Sequence, residues 1–293
     1  MLEKTLDFIK ANHLNIYDIA IMTDSGIEHA YCQPCNACNA SYSVTKLFIV
    51  TMMGILYDKG LIRLDDKITD ILSCDLNFKY DPIWNQVTIR HALTHNMGID
   101  HGMIDIDRDD TSQYPSKNYL EYIFSYPPTQ TPGTYRKYTD VPHYLLSLII
   151  ENIRGKRADE AITEEVLNPL HFASTAWARC PRNHTIGSSG AYMTARDMVK
   201  LAWLYQNYGV YQGTQIISKE WVELTEKEQY DLYPLENSGF WGKSGMNGQM
   251  TMFDREKKIS VAWHGYEPDQ KDTMLISWFE SLPVSKLGGK CSD

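Results

Sequence analysis

The sequence predicts an α/β fold of the α+β type, in which one antiparallel sheet is built from both ends of the chain. Near the start, residues 16–22 and 26–31 are strand-like and are joined by a short turn at residues 23–26. Near the end, strand character returns in residues 248–254, 258–263 and 273–279. The chain between them has a helical pattern, so the sheet carries a large helical insertion.

This arrangement predicts two subdomains with an active-site cleft between them. Residues 1–42 and 230–293 form the sheet subdomain, and residues 43–229 form a mainly helical one. The predicted helices, each with its starting or stopping signal, are residues 2–11, residues 43–59 before Gly60, residues 89–96 capped by Thr88, residues 144–153 between Pro142 and Gly155, residues 158–167, residues 195–208 capped by Thr194, and residues 219–228 capped by Ser218.

Composition limits the classes of partner. The chain has 293 residues, of which 43% are hydrophobic, and a formal net charge of −9. An acidic protein with scattered Lys and Arg lacks the basic patches that nucleic acid or an anionic membrane surface requires. No apolar window is long enough to span a bilayer, and residues 1–10 lack the apolar core of a secretory signal. The chain as given is predicted to be cytoplasmic, although a protein whose signal peptide has been removed has the same pattern.

Three of the six cysteines form a close run, Cys32, Cys35 and Cys38. Such spacing occurs in metal and cluster sites. Because no clear fourth ligand lies nearby, we expect reduced thiols in a loop and no bound metal or other cofactor. A cysteine-cluster metal protein is the weaker alternative.

Ser43 and Lys46 are the strongest functional signal. They begin an apolar run at residues 47–56, and residues three apart share a helix face. Burial lowers the proton affinity of a lysine, so a neutral Lys46 amine could take the Ser43 proton and make the serine a nucleophile. The alternative is an ordinary helix start with Ser43 as the N-cap residue.

A second segment, residues 132–140, precedes the Pro142 helix. A turn there can present Tyr138 to a cleft, where a phenol beside two lysines has a lowered pKa and can move protons. Tyr138 packed beneath a loop is the alternative, and Asp140 could simply be the N-cap of the helix.

A third segment, residues 241–245, lies where strand character resumes. The small Ser244 and Gly245 after Lys243 allow a substrate to lie against the strand edge, where backbone N–H groups can bind an oxyanion. The alternative is a surface lysine in a glycine-rich turn.

The order of these segments resembles the serine beta-lactamase and penicillin-binding-protein superfamily, whose signatures include Ser-x-x-Lys and Lys-[Ser/Thr]-Gly. The class C-like branch, which includes lactamases, peptidases and esterases, is the most similar. Further matches to this branch are residues 60–69 (GLIRLDDKIT), 89–99 (IRHALTHNMGI), 132–146, 168–170 (NPL) and 188–198 (SSGAYMTARDM).

The resemblance implies a role for each motif residue. Ser43 is the acylated nucleophile, Lys46 its proton acceptor, and Lys243 a positive charge facing the substrate. Tyr138 is the tyrosine of the Tyr-x-Asn motif. The backbone N–H groups of Ser43 and Met246 form the oxyanion hole, and His91 and His95 are structural.

Two departures from the family pattern stand out. Asp140 replaces the Asn of Tyr-x-Asn, and an ionised Asp can only accept hydrogen bonds, which disfavours amide recognition. The C-terminal helix is short, about residues 275–282, or missing.

These features predict a serine hydrolase that forms an acyl-enzyme with a small ester, an amide or a beta-lactam. An esterase or a D-amino-acid peptidase is favoured over a lactamase. The alternative is a penicillin-binding or sensor protein on the same fold that acylates without efficient turnover. The sequence leaves the oligomeric state open.

Overall fold

The fold centres on a six-stranded antiparallel sheet that joins the two ends of the chain. In the computed structural model, which describes residues 1–34 and 36–283, the strands run in the order β2-β1-β11-β10-β9-β8. Their bounds are Ile16–Thr23 (β1), Gly26–Tyr31 (β2), Tyr233–Pro234 (β8), Trp241–Ser244 (β9), Met250–Asp254 (β10) and Ile259–Gly265 (β11). Ile16 pairs with Gly265 and Ala20 with Ala262, so the prediction of one sheet from both ends is confirmed.

Helices surround this sheet and fill the middle of the chain. They are Leu2–Ala11 (α1), Thr45–Asp58 (α2), Ile68–Ile71 (α3), Ile89–Leu93 (α4), Tyr119–Phe124 (α5), Val141–Arg154 (α6), Ala158–Ile162 (α7), Ala195–Gln206 (α8), Lys219–Glu228 (α9) and Met274–Ser281 (α10). The predicted caps are present: the side chains of Thr88, Thr194 and Ser218 each accept a backbone N–H three residues ahead. Gly155 ends α6 with φ of 64°.

Short strands and turns complete the structure. A three-stranded sheet contains Asn39–Ala40 (β3), Thr175–Trp177 (β4) and Ala191–Met193 (β5). A two-stranded sheet contains Val210–Tyr211 (β6) and Thr214–Gln215 (β7). The predicted helix 158–167 changes after α7 into a π-helical turn, Thr163–Leu167. The predicted helix 43–59 starts two residues late, because a 3-10 turn, Tyr42–Val44, comes first.

The strand predicted at residues 273–279 is wrong. A 3-10 turn at Lys271–Thr273 leads instead into α10, which agrees with the other expectation for this segment, a C-terminal helix at about residues 275–282 that is shorter than the family pattern. Leu275 and Phe279, four residues apart, are both buried and lie on one helix face. Trp278 stacks on Phe8 of α1 with ring centroids 4.7 Å apart, so the two terminal helices pack together.

Two buried apolar clusters hold these layers. The larger includes α2, which is buried without interruption from Thr45 to Leu56. The smaller lies between the sheet and the terminal helices and contains Ile9, Trp263 and Phe279. The division into residues 1–42 with 230–293 and residues 43–229 stays a prediction. None of the described helices combines the length and apolarity needed to cross a bilayer.

Candidate active site

The predicted site residues meet at one cleft of about 670 Å³. Its lining includes Ser43, Tyr138, Asp140, Lys243, Ser244, Gly245 and Met246, while Lys46 lies fully buried beneath it. Ser43 and Lys243, which are 200 residues apart in sequence, therefore meet at this cleft. Which of them take part in catalysis stays a prediction.

Ser43 lies in the 3-10 turn immediately before α2. Tyr42, the residue before it, has φ of 45°, a left-handed conformation that costs free energy for a residue with a bulky side chain. Such strain persists where the surrounding structure holds it. Here the Val44 amide donates to the Ser41 carbonyl oxygen, and the Ser41 amide donates to the Ala191 carbonyl oxygen of β5.

Lys46 makes three hydrogen bonds from a fully buried position. Its Nζ donates to Ser43 Oγ at 3.0 Å, to Asp140 Oδ1 at 2.6 Å and to the Ser188 carbonyl oxygen at 2.7 Å. These contacts use all three N–H groups of an ammonium. Ser43 is therefore positioned by Lys46, as residues three apart at a helix start allow.

The expectation that burial makes Lys46 neutral is wrong. Burial does lower the pKa of Lys46, but Asp140, Tyr138 and Asp231 outweigh it, and the pKa rises above its ordinary value of 10.5. The resting side chain is a charged ammonium. The sequence pattern showed the apolar run around Lys46 but not the carboxylate that pairs with it from 94 residues further along the chain.

Asp140 does not cap α6. It occupies the N-cap position, but its side chain accepts no backbone N–H of the helix and instead faces Lys46. The N-cap alternative is therefore wrong, and a carboxylate lies within the cleft beside the Ser43–Lys46 pair.

Tyr138 lies between two lysines. Its hydroxyl accepts a hydrogen bond from Lys243 Nζ at 3.0 Å, and Lys46 Nζ lies 5.0 Å from the ring centroid. Tyr138 is 42% exposed, so it faces the cleft and is not packed beneath a loop. A phenol in this position can receive or release a proton beside a substrate.

The segment after β9 approaches Ser41 closely. A Cβ at Gly245 would lie 3.0 Å from the Ser41 carbonyl oxygen and 2.7 Å from Gln249 Oε1, so only glycine fits without a shift. The Gly245 amide donates to the Gln249 carbonyl oxygen at 2.8 Å and is not available to an oxyanion. Ser244 and Met246 line the cleft on either side, and the oxyanion role of Met246 stays a prediction.

Asp231, which the sequence analysis missed, lies behind this site. Its side chain is fully buried; Oδ1 accepts from Lys243 Nζ, and Oδ2 lies 2.9 Å from His95 Nε2 and 3.0 Å from His143 Nε2. The signal that could have found the cluster is His143, a polar residue in the apolar first turns of α6. Hydrogen bonding to Lys243 and His95 accounts for this carboxylate without an ion.

A second close group of carboxylates lies at the mouth of the cleft: Asp105, Asp107 and Asp140. Asp140 pairs with Lys46, and Asp107 accepts from the Ser189 hydroxyl at 2.5 Å. Burial raises the pKa of both Asp105 and Asp107. Asp105 Oδ2 lies 3.8 Å from Arg108 Nη1, so each of the three carboxylates has a protein partner and we assign no metal to them.

His264, near the cleft at the end of β11, belongs to another buried chain of hydrogen bonds. Its Nε2 lies 3.2 Å from Ser41 Oγ, and its Nδ1 lies 3.0 Å from Asp18 Oδ1. All three side chains are fully buried, so this serine–histidine–aspartate arrangement cannot meet a substrate. It connects the sheet to the turn that carries Ser43.

Cys32 and Cys38, the two described members of the cysteine run, do not line this cleft. Cys32 and Cys38 are half-buried, and the Cys38 thiol lies 3.8 Å from the Ser174 carbonyl oxygen. Cys35 lies outside the described residues, so the expectation of reduced thiols stays a prediction.

The buried His143 makes the stability of the folded protein depend on pH. Burial lowers its pKa from 6.5 to about 4 despite Asp231, so the unfolded chain binds a proton at this site over a pH range where the folded protein does not. The contribution of neutral His143 to the free energy of unfolding is fully present above pH 6.5. It is lost as the pH falls towards 4, by up to about 3 kcal/mol. Urea unfolding measures the free energy of unfolding at pH 7 and at pH 4.5. Between these two pH values His143→Gln should lose less of this free energy than the parent protein, and an equal loss contradicts the prediction.

Fold and cleft together define a class of protein, the lactamase and transpeptidase type, in which an antiparallel sheet and a helical region meet at a Ser-x-x-Lys pair. A family model described as Beta-lactamase matches residues 39–265. The chain therefore belongs to the beta-lactamase family.

Individual relatives are distant. The chain is 25% identical over 206 residues to an uncharacterized protein of Alkalihalophilus pseudofirmus, covering 64% of this chain and 54% of that protein. It is 24% identical over 212 residues to penicillin-binding protein 4 of Amycolatopsis lactamdurans, covering 61% and 53%. The chain thus spans about half the length of the curated relatives it matches. A solved family VIII carboxylesterase is similar in fold, with a TM-score of 0.73, 14% identity and 90% of each chain covered.

Proposed function

We propose that the protein is a serine hydrolase that acts on a small ester or amide through an acyl-enzyme at Ser43. The observation that carries this proposal is the 3.0 Å contact between Ser43 Oγ and the buried Lys46 Nζ at the floor of an open cleft. The Tyr138–Lys243 pair on the same cleft supplies a second proton-transfer group.

Because Lys46 is charged at rest, it takes a proton only as it gives one away. As Ser43 Oγ attacks the carbonyl carbon, its proton passes to Lys46, and Lys46 passes another along the 2.6 Å hydrogen bond to Asp140. Tyr138 protonates the leaving group, and Lys243 stabilises the phenolate that remains. The first step thus leaves acyl-Ser43, free alcohol or amine, neutral Asp140 and the Tyr138 phenolate.

Water then completes the reaction. Its oxygen attacks the acyl carbon, and its proton returns to the Tyr138 phenolate. The Ser43 oxygen leaves and regains a proton from Lys46, which recovers its own from Asp140. Every group returns to its resting state, and the acid is released.

Asp140 favours esters over amides. The Asn usual at this position can donate a hydrogen bond to the carbonyl of a substrate amide, whereas a carboxylate can only accept one. The Asp140 carboxylate is moreover already bound to Lys46.

Asp140→Asn is therefore expected to raise the ratio of amide to ester hydrolysis by about tenfold, the equivalent of one added hydrogen bond. The measurement compares kcat/KM for a nitroanilide and a nitrophenyl ester of the same acyl group. An unchanged ratio contradicts the assigned role of Asp140.

The experiment that tests the function is a panel of nitrophenyl esters, D-amino-acid amides and nitrocefin, with Ser43→Ala as the control. Hydrolysis that depends on Ser43 supports the proposal, and the absence of hydrolysis of every substrate in the panel contradicts it.

A penicillin-binding or sensor protein of the class C-like branch is the second candidate, because one curated relative is named a penicillin-binding protein. A Ser43 adduct that persists for hours, followed by mass spectrometry after penicillin, identifies that case.

A further inference from the structure

Asp231 is the centre of a buried charge cluster, and the Asp231 carboxylate itself takes part in no step of the proposed reaction. Its four members come from separate parts of the chain: His95 follows α4, His143 lies in α6, Asp231 follows α9, and Lys243 lies in β9. Asp231 itself has φ of 51°, a strained conformation for a residue with a side chain. Four elements and a strained backbone thus converge on one carboxylate.

We propose that Asp231, supported by His95 and His143, is a positioning residue that keeps Lys243 charged and directed at the Tyr138 hydroxyl. This inference rests on the proposed function, in which Tyr138 moves protons. The geometry is continuous: Asp231 Oδ1 accepts from Lys243 Nζ, and Lys243 Nζ donates to Tyr138 at 3.0 Å.

His95 acts on Asp231 as a neutral N–H donor through Nε2, and the neutral His143 ring lies beside the carboxylate with Nε2 3.0 Å from Oδ2. Burial lowers the pKa of His95, and it lowers that of His143 to about 4, so neither ring carries a charge at neutral pH. The carboxylate and Lys243 then form the one charge-balanced pair of the cluster. A buried charge without such a partner is strongly disfavoured, and Asp231→Asn would leave the buried Lys243 ammonium without its carboxylate.

His95 also supports Tyr138 directly. Its ring lies 4.6 Å from the Tyr138 ring, and its carbonyl oxygen accepts the Lys137 amide at 2.9 Å. The cluster therefore fixes both partners of the Lys243–Tyr138 hydrogen bond, one through charge and the other through packing.

The remaining groups near Lys243 do not replace Asp231. The Tyr233 ring lies 5.4 Å from Lys243 Nζ, and burial raises the pKa of this phenol, so it is neutral. The Tyr233 hydroxyl accepts from Arg136 at 3.1 Å. Lys46, whose Nζ lies 5.0 Å from the Tyr138 ring centroid, is paired with Asp140.

The first test measures Lys243 protonation without any substrate. Lysine labelled with ¹³C at Cε is followed by NMR across pH, and Lys243→Arg assigns the signal. In Asp231→Asn we expect Lys243 to lose its proton about two pH units lower than in the parent protein. The matched control is Asp197→Asn, which removes another buried carboxylate bound to a lysine, Lys200, outside the cleft lining. It should leave the Lys243 titration unchanged; an unchanged titration in Asp231→Asn overturns the proposal.

The second test is the pH profile of Ser43 acylation by a nitrophenyl ester. Asp231→Asn should lose activity on the alkaline side where the parent protein and Asp197→Asn do not. A merely structural role for Asp231 lowers the melting temperature and leaves the shape of the profile unchanged, which overturns the proposal. If Ser43 is never acylated in the parent protein, the proposed function fails, while the NMR titration still decides whether Asp231 controls Lys243.

If Asp231→Asn alone does not fold, the double variant Asp231→Asn with Lys243→Met replaces it. Removing both charges of a buried pair is far less costly than removing one. The double variant should therefore regain a cooperative thermal unfolding transition. A double variant that also fails to fold shows that the two residues are not coupled and overturns the proposal.

Discussion

Ser43→Ala is expected to lower ester hydrolysis by at least about 10³-fold, because it removes the proposed nucleophile and leaves only binding and the surrounding polar groups. Stability should change little, since Lys46 keeps its hydrogen bonds to Asp140 and the Ser188 carbonyl oxygen. Steady-state hydrolysis of a nitrophenyl ester, together with thermal unfolding, provides the measurement.

Ser41→Ala is the matched control for this prediction. It removes a buried serine hydroxyl two residues away that contacts His264, and it should preserve hydrolysis even if the melting temperature falls. If Ser41→Ala loses hydrolysis and Ser43→Ala retains it, Ser43 is not the nucleophile and the prediction is wrong.

Lys46→Met has the second large expected effect, on both activity and stability. It removes the only ammonium that contacts Ser43 Oγ among the described residues, so we expect hydrolysis to fall at least about 10³-fold. It also leaves the Asp140 carboxylate and the Ser188 carbonyl oxygen without their donor, which should lower the free energy of unfolding by about 3 kcal/mol. Urea unfolding and ester hydrolysis measure the two effects.

The double variant Lys46→Met with Asp140→Asn separates the two roles of Lys46. The second substitution removes the unpaired charge, so a large part of the lost stability should return while hydrolysis stays absent. Recovery of hydrolysis with stability would show that Lys46 acts only as a structural partner of Asp140.

Features encoded by neighbouring residues could be predicted from the sequence. The caps at Thr88, Thr194 and Ser218 depend on contacts three residues apart, and α6 ends at Gly155 as its backbone preference requires. The pairing of both chain ends into one sheet also followed, because strand patterns occur at each end of a helical region.

Features that depend on distant partners could not be predicted. The charge of Lys46 is set by Asp140 and Asp231 across the fold, so its apolar sequence neighbours indicated the wrong ionisation state. The Asp231 cluster collects residues from four elements and has no local pattern. Residues 273–279 have an apolar composition typical of a strand, but packing of Leu275 and Phe279 against the sheet requires helical spacing.

Position 140, where the family motif has Asn and this chain has Asp, affects both the charge of the site and the expected substrate preference. In this structure Asp140 compensates the buried Lys46 charge, provides the acceptor for its proton in the proposed reaction, and removes a donor that amide substrates need. One side chain thus accounts for the resting charge of the site and for the expected preference for esters.

The most direct test of the account is mass spectrometry of the protein after treatment with a fluorophosphonate, followed by peptide mapping. We expect one adduct, located on Ser43, that is absent from Ser43→Ala and present in Ser41→Ala. A folded protein that gains no adduct, or gains it on any other residue, contradicts the claim that Ser43 is an activated nucleophile.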